Sequence, residues 1–301
     1  MFCGGSVARP ALSASRSIEV LDFLAAYPGR AFTLSEIARA AKINVASCHA
    51  VLSALVERGY LTRSTGQRTY ALGPALVALG ESALASQPLV ARARQAAHEL
   101  FAELGLPVLL SGVVGDEIVG LVSIPDAAGR VPGLRVGERL PLVPPIGAPF
   151  LAWSSDEAIE AWIARSLAPA PAGLAEELRH TLALTRLRGF QVTLRSPEGP
   201  DMATVLQEMA AGRRPPESRA GVMRLIHSLD LHVAQPETIA PDELYDVVLI
   251  AAPLFDQAGE AAFSLCFGGF GEKLAGAAVL AYADRLVRTC VQVMREDRAH
   301  P

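Results

Sequence analysis

Across residues 34–72 the spacing of apolar side chains changes twice. Leu34, Ile37, Ala38 and Ala41 recur at i, i+3, i+4 and i+7, which predicts an amphipathic helix. Thr33 stands before it and Glu36 three residues later, the spacing of a capping box. Val45, Cys48, Leu52, Leu55 and Val56 give a second apolar stripe. Ala46, Ser47, His49, Ala50 and Ser53 face away from it and are small or hydrogen-bonding, with no acid among them. Such a face fits a major groove and its base edges. Gly59 closes that helix, and residues 60–72 alternate as a hairpin around Ser64-Thr65-Gly66-Gln67. The pattern predicts a winged helix-turn-helix.

A first helix is expected at residues 15–27, with Ile18, Leu21, Leu24 and Ala25 inward and Pro28-Gly29 ending it. Residues 74–85 read as a linker helix, and Gln87-Pro88 marks a break before a helix at 89–104. Two β-rich runs, 108–114 and 118–124, flank Gly115-Asp116-Glu117, a hairpin signal. Residues 125–149 are rich in Pro and Gly and read as a loop with one short strand. A helix follows at 150–167, with Ser154 and Glu157 as a second capping box, then a helix at 174–188 and a strand at 190–195. Residues 197–236 read as helical pieces, one at 220–231, around a polar Gly-Arg-Arg-Pro-Pro-Glu run. Strands at 246–255 and 260–267 and a long helix at 272–295 complete the chain. The fold class is α+β: a winged helix-turn-helix at 12–73, a linker helix at 74–88, and a second domain at 89–297 around a largely antiparallel sheet.

The 301 residues, 51% hydrophobic and 19% charged, suit about two domains with sizeable cores. Apolar runs are interrupted before the roughly 18 residues a membrane span needs, and residues 1–10 lack the apolar stretch of a signal peptide. Cys3, Cys48, Cys266 and Cys290 lie far apart, which points to a reduced, cytoplasmic setting and away from structural zinc. Net charge is -4, but residues 1–72 carry eight Lys/Arg against four Asp/Glu and the remainder is acidic. A basic head on an acidic body suits a protein that presents one end to phosphate.

The order of parts resembles the IclR family of bacterial transcription regulators. The resemblance rests on Arg16-Ser17-Ile18-Glu19-Val20-Leu21, Thr33-Leu34-Ser35-Glu36-Ile37-Ala38, the run 51–61 from Val51 to Leu61, and Tyr70-Ala71-Leu72-Gly73. Leu187-Arg188-Gly189-Phe190 and Ile250-Ala251-Ala252-Pro253-Leu254-Phe255-Asp256 extend it into the second domain. It implies a DNA-binding head, a linker helix, a GAF-like α/β effector-binding domain, and dimers or dimers of dimers that repress or activate genes in response to a metabolite. The chain departs from the family in three places. Ala50 stands where members carry a basic residue, and Pro144-Pro145-Ile146-Gly147-Ala148-Pro149 replaces a Thr followed by Gly-Lys-Ala, which implies a more apolar ligand. Residues 197–236 look like an insertion.

Candidate DNA contacts are Asn44, Ser47, His49 and Ser53 toward bases, and Arg16, Thr33, Ser35, Arg63 and Arg68 toward phosphates. Asn44 reads equally as a cap. Candidate effector contacts are Ile146, Gly147, Phe150, Ala251, Ala252, Ser264 and Cys266. No hydrolase elbow, zinc-protease or Walker motif occurs. His227, Asp230 and His232 cluster, but two imidazoles five residues apart on a helix diverge, so no metal and no cofactor is expected. The expected function is a DNA-binding regulator with a small organic effector, not an enzyme. The alternative is a small-molecule-binding or hydrolytic enzyme with an accessory helical head.

Overall fold

The computed structural model describes residues 11–25, 27, 29–131, 133–166, 173–195 and 235–299. Apart from residues 235 and 236, the expected insertion at 197–236 lies outside them, with its helix at 220–231 and with His227, Asp230 and His232. The chain divides into two compact units, residues 1–86 and 87–301.

In the first unit the order is α1 (Leu12–Ala25), β1 (Phe32–Thr33), α2 (Leu34–Ala40), α3 (Val45–Glu57), β2 (Leu61–Arg63), β3 (Thr69–Leu72) and α4 (Ala75–Ala85). The three strands form one antiparallel sheet in the order β1-β3-β2. Val20, Leu24, Ile37, Cys48, Leu52, Leu61 and Tyr70 make its core. Phe23, Tyr27 and Phe32 pack ring on ring beside them, and the Arg30 guanidinium sits 4.7 Å over the Phe32 ring. The predicted capping box is present: Thr33 Oγ1 accepts from Glu36 N, and the Glu36 carboxylate accepts from Thr33 N at 2.7 Å.

Two sequence expectations fail here for one reason. Ile18 is 58% exposed and Val45 is 55% exposed, although both were expected on inner faces. Each helix has room for a narrow contact only, which Val20 and Leu24 fill on α1 and Cys48 and Leu52 on α3. Phe32–Thr33 forms an unpredicted short strand against β3.

The second unit runs α5 (Pro88–Leu104), β4 (Val108–Val114), β5 (Glu117–Ile124), β6 (Arg139–Pro141), α6 (Ala148–Leu151), α7 (Asp156–Ile163), α8 (Leu174–Arg188) and β7 (Gln191–Leu194). β8 (Leu244–Tyr245), β9 (Val247–Leu254), β10 (Phe263–Gly268), β11 (Leu274–Ala275) and α9 (Gly276–Ala299) follow. Six strands form an antiparallel sheet in the order β6-β5-β4-β10-β9-β7. Successive side chains on a strand point to opposite faces. α5 and α9 pack against one face, where the Phe267 ring meets Tyr282 of α9. Leu109, Ile118, Ala251 and Cys266 belong to the other, in a core shared with α6, α7 and α8.

The helix expected at 150–167 is two helices. Ser155, not Ser154, caps the second by accepting from Ala158 N. Ser154 instead turns its hydroxyl back to the Phe150 carbonyl, closing α6. Side chains from α7, from the turn after it and from α8 hold the chain on both sides of α6: Trp162 Nε1 donates to Ile146 O and Arg165 to Leu142 O before it, and Arg186 to Ala152 O after it.

Candidate nucleic-acid interface and internal cavity

The exposed face of α3 carries Val45, Ala46, His49, Ala50 and Ser53, while Ser47 is half-buried. No Arg, Lys, Asn or Gln occurs in this helix. Asn44 is its N-cap: Oδ1 accepts from Ser47 N at 2.8 Å, so its acceptor is spent and its amide donors remain. Thr33 is also spent. Its backbone N–H and its hydroxyl both donate to Glu36, whose carboxylate sits at the start of α2 where an anion would bind. Ser35 is exposed beside it. Those hydrogen bonds, the backbone one first, hold the Glu36 carboxyl below its ordinary value.

Residues 62–68, the wing tip, are all exposed. Arg63 extends over the Tyr70 ring at 5.7 Å, and Arg68 takes φ +53 in the turn. Both cations are therefore presented by a short, defined hairpin. Arg16 is half-buried and lines a shallow groove with Asp22, Lys42 and Ile43.

The second unit holds a cavity of about 200 Å³ on the face of its sheet that α6, α7 and α8 pack against. Strand register builds its floor. Leu109, Cys266, Ala251 and Gln191 lie in one row across four strands, and Ser111 pairs with Ser264 in the next. Thr193, opposite Leu249, continues the β7 side, with Arg195 beyond. Ile146, Gly147 and Phe150 form the facing wall. Gly147 is required there: φ is +107, and a Cβ would collide with Leu142 Cδ1.

Six of the seven expected effector residues line this cavity: Ile146, Gly147, Phe150, Ala251, Ser264 and Cys266. Ala252 does not. It pairs with Leu265 on the opposite sheet face, because strand neighbours alternate. Cys266 is a neutral wall residue, since burial pushes its thiol up to about 12. Sequence reasoning missed Ser111, Arg130, Gln191, Thr193 and Arg195. The alternation Gln191-Val192-Thr193-Leu194-Arg195, polar on every second position, was the available signal.

Among the described residues no group of His, Cys, Asp and Glu is placed to hold a metal ion, and no helix is long and apolar enough to cross a membrane.

Residues 13–65 match the model of the IclR helix-turn-helix domain. A comparison with curated proteins returns no match. Among solved structures the chain is similar to an IclR transcriptional regulator from Alicyclobacillus acidocaldarius, with 20% identity and a TM-score of 0.70 over 95% of this chain and 99% of that one. It is also similar to HmgR from Pseudomonas aeruginosa, with 19% identity and a TM-score of 0.60 over 95% and 99%. An IclR homolog from Microbacterium hydrocarbonoxydans, solved with 4-hydroxybenzoate, gives 19% identity and 0.60 over the same shares. At these identities the likeness establishes the fold, and the N-terminal match establishes the type of head. Residues 13–65 thus form a helix-turn-helix domain of the IclR type, and the chain as a whole has a fold similar to that of solved IclR regulators.

Proposed function

We propose that this regulator binds operator duplexes through paired heads and that occupancy of the cavity by a small organic molecule changes that binding. The observation behind the first half is the acid-poor exposed face of α3 beside a wing that presents Arg63 and Arg68. In this reading α3 enters the major groove, with Asn44, Ser47, His49 and Ser53 toward the bases. Arg63, Arg68, Ser35 and Arg16 meet the backbone and fix register. The structure favours Thr33 as a cap over a phosphate contact, because its donors already serve Glu36.

The exposed apolar surface of α4 supports pairing of heads. None of its 11 residues is buried, yet Val77 (69% exposed) and Leu79 (53% exposed) are large and apolar. Leu12 and Ile18 of α1 are exposed as well. A second copy of the chain is the occupant that removes such surface from water. The Microbacterium relative, solved with 4-hydroxybenzoate, supports a ligand of one-ring size for the cavity. The ligand acts by binding one arrangement of the paired heads more tightly than another.

The test is retardation of the intergenic DNA upstream of the gene by the full-length chain, against a scrambled duplex of equal length. A salt-sensitive complex that prefers the upstream DNA is expected. No complex at low salt would remove the regulator reading.

A further inference from the structure

Among the described residues the cavity contains no uncompensated charge. Arg130 and Arg195 stand at its edge, and each is already paired: Arg130 Nε with Asp126 at 2.6 Å, Arg195 Nε with Asp246 at 3.1 Å. Asp126 is held in place besides, accepting from the backbone N–H groups of Ala128 and Arg130. The interior polar groups are all neutral. Gln191, 6% exposed, and Ser111, 5% exposed, both line the cavity. Ser264 spends its hydroxyl proton on the Ala252 carbonyl.

The Gln191 amide offers donors and an acceptor to whatever fills the cavity, and a ligand that displaces water without matching them leaves them unmet at a cost. A ligand that supplies the complement avoids that cost. A carboxylate would leave water for a site with no uncompensated counter-charge among the described residues, which is worse than burial of a neutral group. The volume, about 200 Å³, suits one ring with a substituent, since an apolar cavity of about 150 Å³ accommodates benzene.

We propose that the cavity selects an uncharged, ring-sized molecule bearing a neutral hydrogen-bonding group, read by Gln191, in preference to a carboxylate. The proposal rests on the effector-site reading above and names the ligand class of that site. It gives this chain a different selectivity from the Microbacterium relative, whose solved ligand is 4-hydroxybenzoate.

The test is calorimetric titration of the full-length chain with two isosteric pairs, benzamide against benzoate and 4-hydroxybenzamide against 4-hydroxybenzoate. Each amide is expected to bind about tenfold more tightly than its carboxylate partner. Gln191→Leu should lose about tenfold in amide affinity with little change for the carboxylates. Asp126→Asn keeps the turn acceptor while freeing Arg130, and should move selectivity toward the carboxylate. A carboxylate that binds as well as its amide overturns the proposal, as does failure of both amides to bind. DNA affinity measured with and without the amide separates the two readings. Amide preference without any effect on DNA supports the ligand class and removes the regulatory coupling. Carboxylate preference with a ligand-dependent DNA affinity overturns the class and keeps the coupling.

Discussion

Removing the wing cations by Arg63→Ala and Arg68→Gly should weaken DNA binding at every sequence alike. The fold survives this change. Arg63 gives up an exposed interaction with the Tyr70 ring, about 0.5–1 kcal/mol at such sites. Glycine accepts the φ of +53 that Arg68 adopts. Tyr70 itself stays in the core. Each phosphate left without its cation flattens the slope of log affinity against log salt by about 0.9, so two per head flatten it by about 1.8. Over a fourfold rise in salt, from about 50 to 200 mM, the wild type should therefore lose about tenfold more affinity per head than the variant. Fluorescence anisotropy with the upstream duplex and a scrambled one, at several salt concentrations, measures both slopes. Identical slopes for wild type and variant would refute the placement of the wing on phosphate. A loss confined to the upstream duplex would refute its sequence-independent role.

Val45, Ala46 and Ala50 put methyl groups on the exposed face of α3, where bidentate readers are absent, so thymine methyls should matter. Deoxyuridine in place of thymine across the bound site should weaken binding by about fourfold per buried methyl, and equal affinity for both duplexes would contradict this. Glu36 titrates below its ordinary value because Thr33 hydrogen-bonds to its charged form. Its contribution to stability is present above the unfolded-state value and is lost as pH falls through the folded one. Glu36→Gln should accordingly lower the unfolding temperature at neutral pH, and the gap should narrow as the pH is lowered; a gap that does not narrow on acidification would contradict the capping account.

Much of the head was legible because its determinants are local. A capping box needs only Thr33 and Glu36 at the right spacing, and the wing needs only alternation around a turn. The antiparallel character of the sheet was legible too, since short turns such as 256–259 force hairpins. The effector residues divide differently. Gly147 and Phe150 could be named from a Pro/Gly-rich run, but nothing local showed that Gln191 stands in a row with Ala251, Cys266 and Leu109. That row joins residues far apart in the sequence, and register between strands decides it. Ala252 was misplaced by the same ignorance of facing.

The amino-acid order alone determined most of the succession of helices and strands, together with the caps at Thr33 and Asn44. These follow from interactions within a turn or a hairpin, whose partners are a few residues apart. Only the tertiary structure decided which apolar residues stay in water, as Ile18, Val45 and Val77 do, and which polar ones are enclosed, as Gln191 and Ser111 are. Enclosure is set by what distant elements bring to a surface, and no spacing rule along the chain carries that information.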